Sequence, residues 1–196
     1  MDREQKKRET RQRISDVATT LFAKRGFDAV TVEDIAAAAD VSKMTVFNYF
    51  PRKEDLHFDR DEDLMLLPFR EALAKGTRSV STTVRAVIVE LRDRDHELVR
   101  VHPRAGDWWR VVRASPALQA RLHEIEDAAA ASLAEVIGGA KPDSTARLIA
   151  GMLVLAVRTA REEGVRVLDG GGSVKKATAT LLGVLECGLE AIAAIE

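Results

Sequence analysis

Apolar positions recur at spacings of three and four along almost the whole chain, and no stretch alternates with period two for long enough to demand a strand. The pattern predicts an all-α protein. Ile14, Val17, Ala18, Leu21 and Phe22 mark one face of a first helix from about residue 7 to Arg25, which Gly26 closes. Thr31 is placed to cap a short second helix, with Glu33 and Asp34 at the positive end of its dipole. Asp40 reads as a turn residue, Ser42 as the cap of a third short helix reaching about Tyr49, and Pro51 as its stop. A fourth helix is expected from Lys53 through residue 67, kinked or ended by Pro68. Helices follow near 80–100 and 105–114, then a long one opened by Ser115 and Pro116 and closed by glycines 138 and 139. Pro142 opens another to about Glu163, and Ser173, after the GGGS connection, caps the last.

Composition narrows the class. The chain has 196 residues, 46% hydrophobic and 31% charged, as expected of a protein with a core of its own. Its single cysteine, Cys187, excludes a disulfide framework or a cysteine-based metal site and fits a reducing cytoplasm. Residues 1–13 are charged throughout, unlike an export signal, and no apolar run approaches a membrane span, so a cytoplasmic location is expected. The net charge is −1, but its distribution is uneven. Residues 1–53 carry eleven Lys or Arg against eight Asp or Glu, and the remainder nineteen against twenty-three. That excess supports DNA binding only weakly.

Three unequal helices, the second and third short and joined by a tight turn, are what a helix-turn-helix requires. The third helix must place its first half in the major groove while its apolar residues anchor it. Val41, Val46 and Phe50 are expected to face inward with Ile35 and Phe22. Lys43, Met44, Thr45 and Asn48 are then left outward, able to reach base edges. The segment FAKRGFDAVTVEDIAAAADVSKMTVFNYFPRKEDL closely resembles the N-terminal DNA-binding domain of the tetracycline-repressor (TetR) family of bacterial regulators, over about residues 10–56. The ordered patterns F-x-x-x-G-[FY], T-x-x-x-I-A, V-S-x-x-T-x-[FY]-x-[YH]-F and K-E-x-L carry the likeness.

The resemblance implies that Thr31 and Tyr49 contact phosphates and that Lys53 adds charge. It also implies that Lys43, Met44, Thr45 and Asn48 lie at or near the bases, with Ser42 among the DNA-binding set. Two positions depart from the family pattern: Asp40 stands where the turn usually has glycine, and Phe47 where a tyrosine is frequent. The basic arm of Lys6, Lys7, Arg8, Arg11 and Arg13 is read either as a DNA contact or as a solvated terminus.

The expected division is 1–52, the DNA-binding domain, and 53–196, a helical domain for effector binding and dimerisation. In the latter, Ile149, Leu153 and Val157 form one stripe and Leu181, Leu185, Gly188, Leu189 and Ile192 another, expected to build a four-helix homodimer interface. Small residues at Gly151, Gly183 and Gly188 would let helices approach; an ordinary intrachain core is the other reading of these stripes. Leu67, Phe69, Leu91, Arg104, Trp108, Trp109, Val112 and Met152 are the candidate effector-binding residues. RASPALQARLHEIE also resembles the C-terminal domain of an actinobacterial subgroup associated with acyl-CoA-like ligands, including mycofactocin-type regulators. This implies a small-molecule effector of apolar, anionic character.

Nothing points to an enzyme, a cofactor or a bound metal. His57, His96, His102 and His123 form no H-x-x-x-H or H-E-x-x-H pair, and the glycines at 170–172 follow no strand. The acidic run at 59–64 begins like a calcium loop, but Leu64 and Arg70 stand where that loop needs glycine and glutamate. The expectation is a ligand-responsive transcriptional regulator, a repressor more readily than an activator, on a pseudo-palindromic double-stranded operator. The alternatives are an accessory DNA-binding protein without an effector and an α-helical enzyme.

Overall fold

The computed structural model describes residues 3–59, 66–76 and 78–196. Among these the protein is all-α, with no strand. In chain order the helices are α1 (Arg3–Arg25), α2 (Val32–Ala38), α3 (Lys43–Tyr49), α4 (Leu67–Lys75), α5 (Val80–Asp93), α6 (Ala105–Ala114), α7 (Pro116–Gly138), α8 (Ser144–Asp169) and α9 (Val174–Ala193). Two 3-10 turns, Glu54–Leu56 and Glu97–Val99, complete the set. None of these helices is long and apolar enough to cross a membrane. The chain divides into two compact units, Met1–Arg60 with Asp107–Leu122, and Asp61–Gly106 with His123–Glu196. The expected cut at 52/53 misses this division, because the segment after Gly106 joins the first unit through contacts remote in sequence.

In the first unit, α1 buries Ile14, Ala18 and Phe22 at spacings of four, with Val17 and Leu21 half-buried beside them. It stops where Gly26 adopts φ +83° and returns its N–H to the Phe22 carbonyl at 2.9 Å. A capping box starts α2: the Asp34 N–H donates to Thr31 Oγ1 at 3.1 Å, and the Thr31 N–H to Asp34 Oδ2 at 2.9 Å. The bond from the Thr31 N–H to the ionised carboxylate, with the Thr31 side chain adding to it, holds the Asp34 acid below its ordinary range. The helix ends in a Schellman turn, with Asp40 N–H on the Ala37 carbonyl (3.3 Å) and Val41 N–H on that of Ala36 (3.0 Å). Asp40 takes the left-handed conformation there, φ 51°.

Ser42 caps α3, its Oγ accepting from the Thr45 N–H at 3.0 Å. The chain then turns at Phe50 before Pro51. Instead of the long helix expected from Lys53, only the 3-10 turn Glu54–Leu56 forms, and residues 57–59 are not helical. Residues 60–65, which hold most of the acidic run, lie outside the described residues. Segment 107–122 is tied to this unit by Ser115 Oγ donating to Asp28 Oδ1 (3.0 Å), Arg121 pairing with Asp55 (2.9 Å) and Trp108 packing on His57.

In the second unit, Pro68 occupies the first turn of α4, where its missing N–H costs nothing, so it opens a helix that it was expected to break. α5 stops at Asp93, short of residue 100, followed by Asp95 at φ 52°. Asp143 caps α8, which runs past Glu163 to Asp169, and Ser173 caps α9. These last two helices form an antiparallel pair closed by the turn at 170–173. A Cβ on Gly188 would stand 2.5 Å from that of Ala156, so the absent side chain is what lets α9 approach α8 there. Phe69, Val84, Leu91, Leu98 and Leu133 fill the space against the pair. The Glu196 carboxylate accepts from Ser81 N–H (3.1 Å) and Oγ–H (2.6 Å) in the first turn of α5.

Candidate nucleic-acid interface

The seven residues of α3 divide sharply between two faces. Val46, with Phe50 just beyond the helix, is 1% exposed and anchors the inner face beside Ile35 and Phe22. Val41, expected to be buried with them, is half-buried. On the outer face Lys43, Met44 and Asn48 are exposed, as expected, whereas Thr45 is half-buried and its Oγ1 lies 2.8 Å from Ser42 Oγ. Sequence reasoning missed Phe47, which is 40% exposed beside Met44 at 69%. Its aromatic character argues for burial, but its register turns it about 100° from Val46, to the flank of the anchored face.

Lys43 reaches back to α2 and forms an ion pair with Glu33. The ammonium's hydrogen bond holds the Glu33 acid below its ordinary range. Lys43 also lies 5.8 Å from the centroid of the Phe47 ring. Its charge therefore sits at the α2–α3 edge.

Of the residues assigned to phosphates, Thr31 is exposed at the N-terminus of α2 and Tyr49 is half-buried at the end of α3. Lys53 is turned inward. Its ammonium donates to the Phe27 carbonyl at 2.7 Å and lies 4.1 Å from the Phe27 ring centroid, and burial lowers its basicity. It clasps the loop after α1, a role its position in the motif did not reveal. Arg11 is similarly engaged: it donates to the Tyr49 carbonyl (3.0 Å), pairs with Asp59 (2.7 Å) and covers the Phe50 ring at 4.5 Å. It thereby places a cation at the C-terminus of α3, where the helix dipole favours one. Lys6, Lys7, Arg8 and Arg13 are exposed along α1.

The candidate effector residues fall into both units. Trp108, Trp109 and Val112 belong to the first unit and Leu67, Phe69, Leu91, Arg104 and Met152 to the second. Phe69 and Leu91 are buried in the second unit's core, Leu67 and Met152 are half-buried, and Arg104 is exposed. Trp108 stacks on His57 and meets Phe58 and Trp109 edge-on, at 5.6 and 5.0 Å. Those contacts make it part of the first unit's core.

The residues expected at a dimer interface are occupied within the chain. Ile149, Leu153, Val157, Leu181, Leu185, Leu189 and Ile192 are buried in the second unit's core, and Gly188 abuts Ala156. A stripe buried against its own chain has the same spacing as one that meets a partner, so the spacing left both readings open. The opposite side of the pair carries Leu148 and Leu155, 55% and 50% exposed, with open space at Gly151 and Gly183.

The N-terminal region matches the family described as bacterial regulatory proteins, tetR family, over residues 14–58. The repressor KstR2 of Rhodococcus jostii is 34% identical over 100 residues, covering 47% of this chain and 48% of that protein. The regulator TcmR of Streptomyces glaucescens is likewise 34% identical over 100 residues, 48% of this chain and 44% of its own. This chain thus spans about half the length of these two curated relatives. A TetR-family regulator from Mesorhizobium loti has the same fold, with a TM-score of 0.58, 18% identity and coverage of 95% of this chain and 96% of that one. FadR of Thermus thermophilus, solved with lauroyl-CoA, superposes with a TM-score of 0.50 at 23% identity, covering 92% and 93%. Residues 14–58 are thus similar to the DNA-binding domain of the tetR family, and the chain as a whole shares the fold of solved TetR-family regulators.

Proposed function

We propose that this chain is a regulator of the TetR family, ligand-responsive, that acts as a homodimer and sets one α3 into each of two successive major grooves of its operator. The observation that carries the reading is the division of α3: a capped start, a buried Val46 and Phe50, and an outer face of Lys43, Met44, Phe47 and Asn48. Thr31 and Tyr49, at the rims of α2 and α3, are assigned to phosphates, which fix register, and the exposed α3 side chains to bases, which specify sequence. Lys53 is left out of the phosphate set, since its ammonium holds Phe27.

Dimerisation is assigned to the outward side of α8 and α9, through Leu148, Leu155 and the open surface at Gly151 and Gly183. The second unit is assigned the effector, with an apolar, anionic compound of acyl-CoA type supported by the fold neighbour that holds lauroyl-CoA. Such a compound shifts the protein between conformations only in so far as it binds them unequally. Repression relieved by the effector is the output favoured.

Selection from random duplexes with the purified chain tests this reading. The expected product is a pseudo-palindrome with half-site centres about one helical turn, roughly 34 Å, apart and two subunits bound. Recovery of no preferred site, or of a single half-site filled by one subunit, would overturn it.

A further inference from the structure

A helix bound for water exposes polar groups, yet α3 exposes two large apolar side chains beside Lys43 and Asn48. Among the described residues of the first unit, the large apolar side chains left exposed are Met44 and Phe47, and both lie on this one short helix. Three residues apart, they are neighbours on one face. The major groove offers a single kind of apolar group to such a face, the C5 methyl of thymine. The cation beside them is already committed: Lys43 is paired with Glu33, so a guanine contact from Lys43 must first break an ion pair. The Ser42 and Thr45 hydroxyls share a hydrogen bond, at 2.8 Å, which engages one of their two protons. The polar base-reading capacity of α3 is thereby reduced, with exposed Asn48 remaining, while its apolar capacity is unused within the chain.

We propose that Met44 and Phe47 together read thymine methyl groups, so that each operator half-site carries thymine at the steps these two side chains face. This rests on the DNA-binding reading above and adds to it the chemical identity of the bases. The absence of a hydroxyl on Phe47 then has a positive meaning: a bare ring sits against a methyl with no polar group to leave unpaired.

The test is a thymine-to-deoxyuridine scan of the selected operator, with full-length protein. The replacement deletes one methyl and leaves every hydrogen-bonding group in place. Affinity is expected to fall roughly fourfold per methyl at the contacted steps, and by the product of the two when both half-sites are changed. In Met44→Ala and Phe47→Ala, the thymine-to-uridine ratio at the corresponding step should fall to one, with the thermal midpoint unchanged because both side chains are exposed. A selected operator whose uridine versions all bind as well as the original overturns this inference and leaves the DNA-binding reading intact. Failure to select any operator overturns that reading instead. A methyl effect that survives both alanine variants removes Met44 and Phe47 as its readers.

Discussion

The indole of Trp108 stacks on the imidazole of His57, with ring centroids 4.7 Å apart and planes 16° from parallel, while its N–H donates to the His57 carbonyl at 3.3 Å. Both residues belong to the first unit, although 51 positions separate them. The start of α7 and most of α6 are thus built into the same compact body as the helix-turn-helix.

Burial places a titration in this contact. His57 is enclosed with neither ring nitrogen hydrogen-bonded, and desolvation lowers its pKa from 6.5 to about 4. The folded unit therefore keeps the ring neutral at pH values where the unfolded chain protonates it. Stability from this residue is complete above about pH 6.5 and declines as pH falls toward 4, by about 3 kcal/mol in total. Both tryptophans lie in the first unit, so their fluorescence follows its unfolding. Denaturant melts should show this decline in the native protein, and the difference between it and His57→Leu should carry the pH dependence. A difference independent of pH would contradict the assignment.

Asp40 tests the tight turn. Its left-handed φ of 51° is strained for a residue with a Cβ, at about 1–2 kcal/mol in general and less for aspartate. Asp40→Gly relieves that strain and adds freedom to the unfolded chain, and a net gain of about 0.5 kcal/mol is expected, with operator affinity unchanged. Asp40→Val should lose more than 1 kcal/mol, roughly, because a β-branched residue resists this conformation. Equal stability of the two variants would show that the turn relaxes.

The two sides of α8 should respond differently. Leu148→Glu with Leu155→Glu places charge on the proposed dimer face and is expected to give monomers in sedimentation, with the helical content and thermal midpoint of each subunit retained. Leu153→Ala, in the buried stripe, should instead destabilise the fold by about 2–5 kcal/mol. A double variant that remains dimeric would move the interface elsewhere.

Helices α1 to α3 were legible because their signals are local: Gly26 closes one helix, the Thr31–Asp34 box opens the next, and Ser42 caps the third. The Asp40 turn was readable for the same reason. What escaped depends on partners distant in sequence. Lys53 looks like a free cation until Phe27 is beside it, and Trp108 like a ligand-pocket residue until His57 lies under it. Pro68 is compatible with either end of a helix, and only the chain on both sides decides between them. The Leu153 and Leu185 stripes left a partner and the chain's own core both open, since spacing encodes a buried face without naming what buries it; both stripes are buried within the chain.

The central claim is that the outer face of α3 reads base edges, and Asn48→Ala measured on every single-base-pair variant of the selected operator tests it most directly. The account predicts that discrimination falls at the base pair Asn48 faces in each half-site, by about 1–3 kcal/mol, with preference elsewhere preserved. A uniform loss across all sequences, or no loss at all, would contradict it.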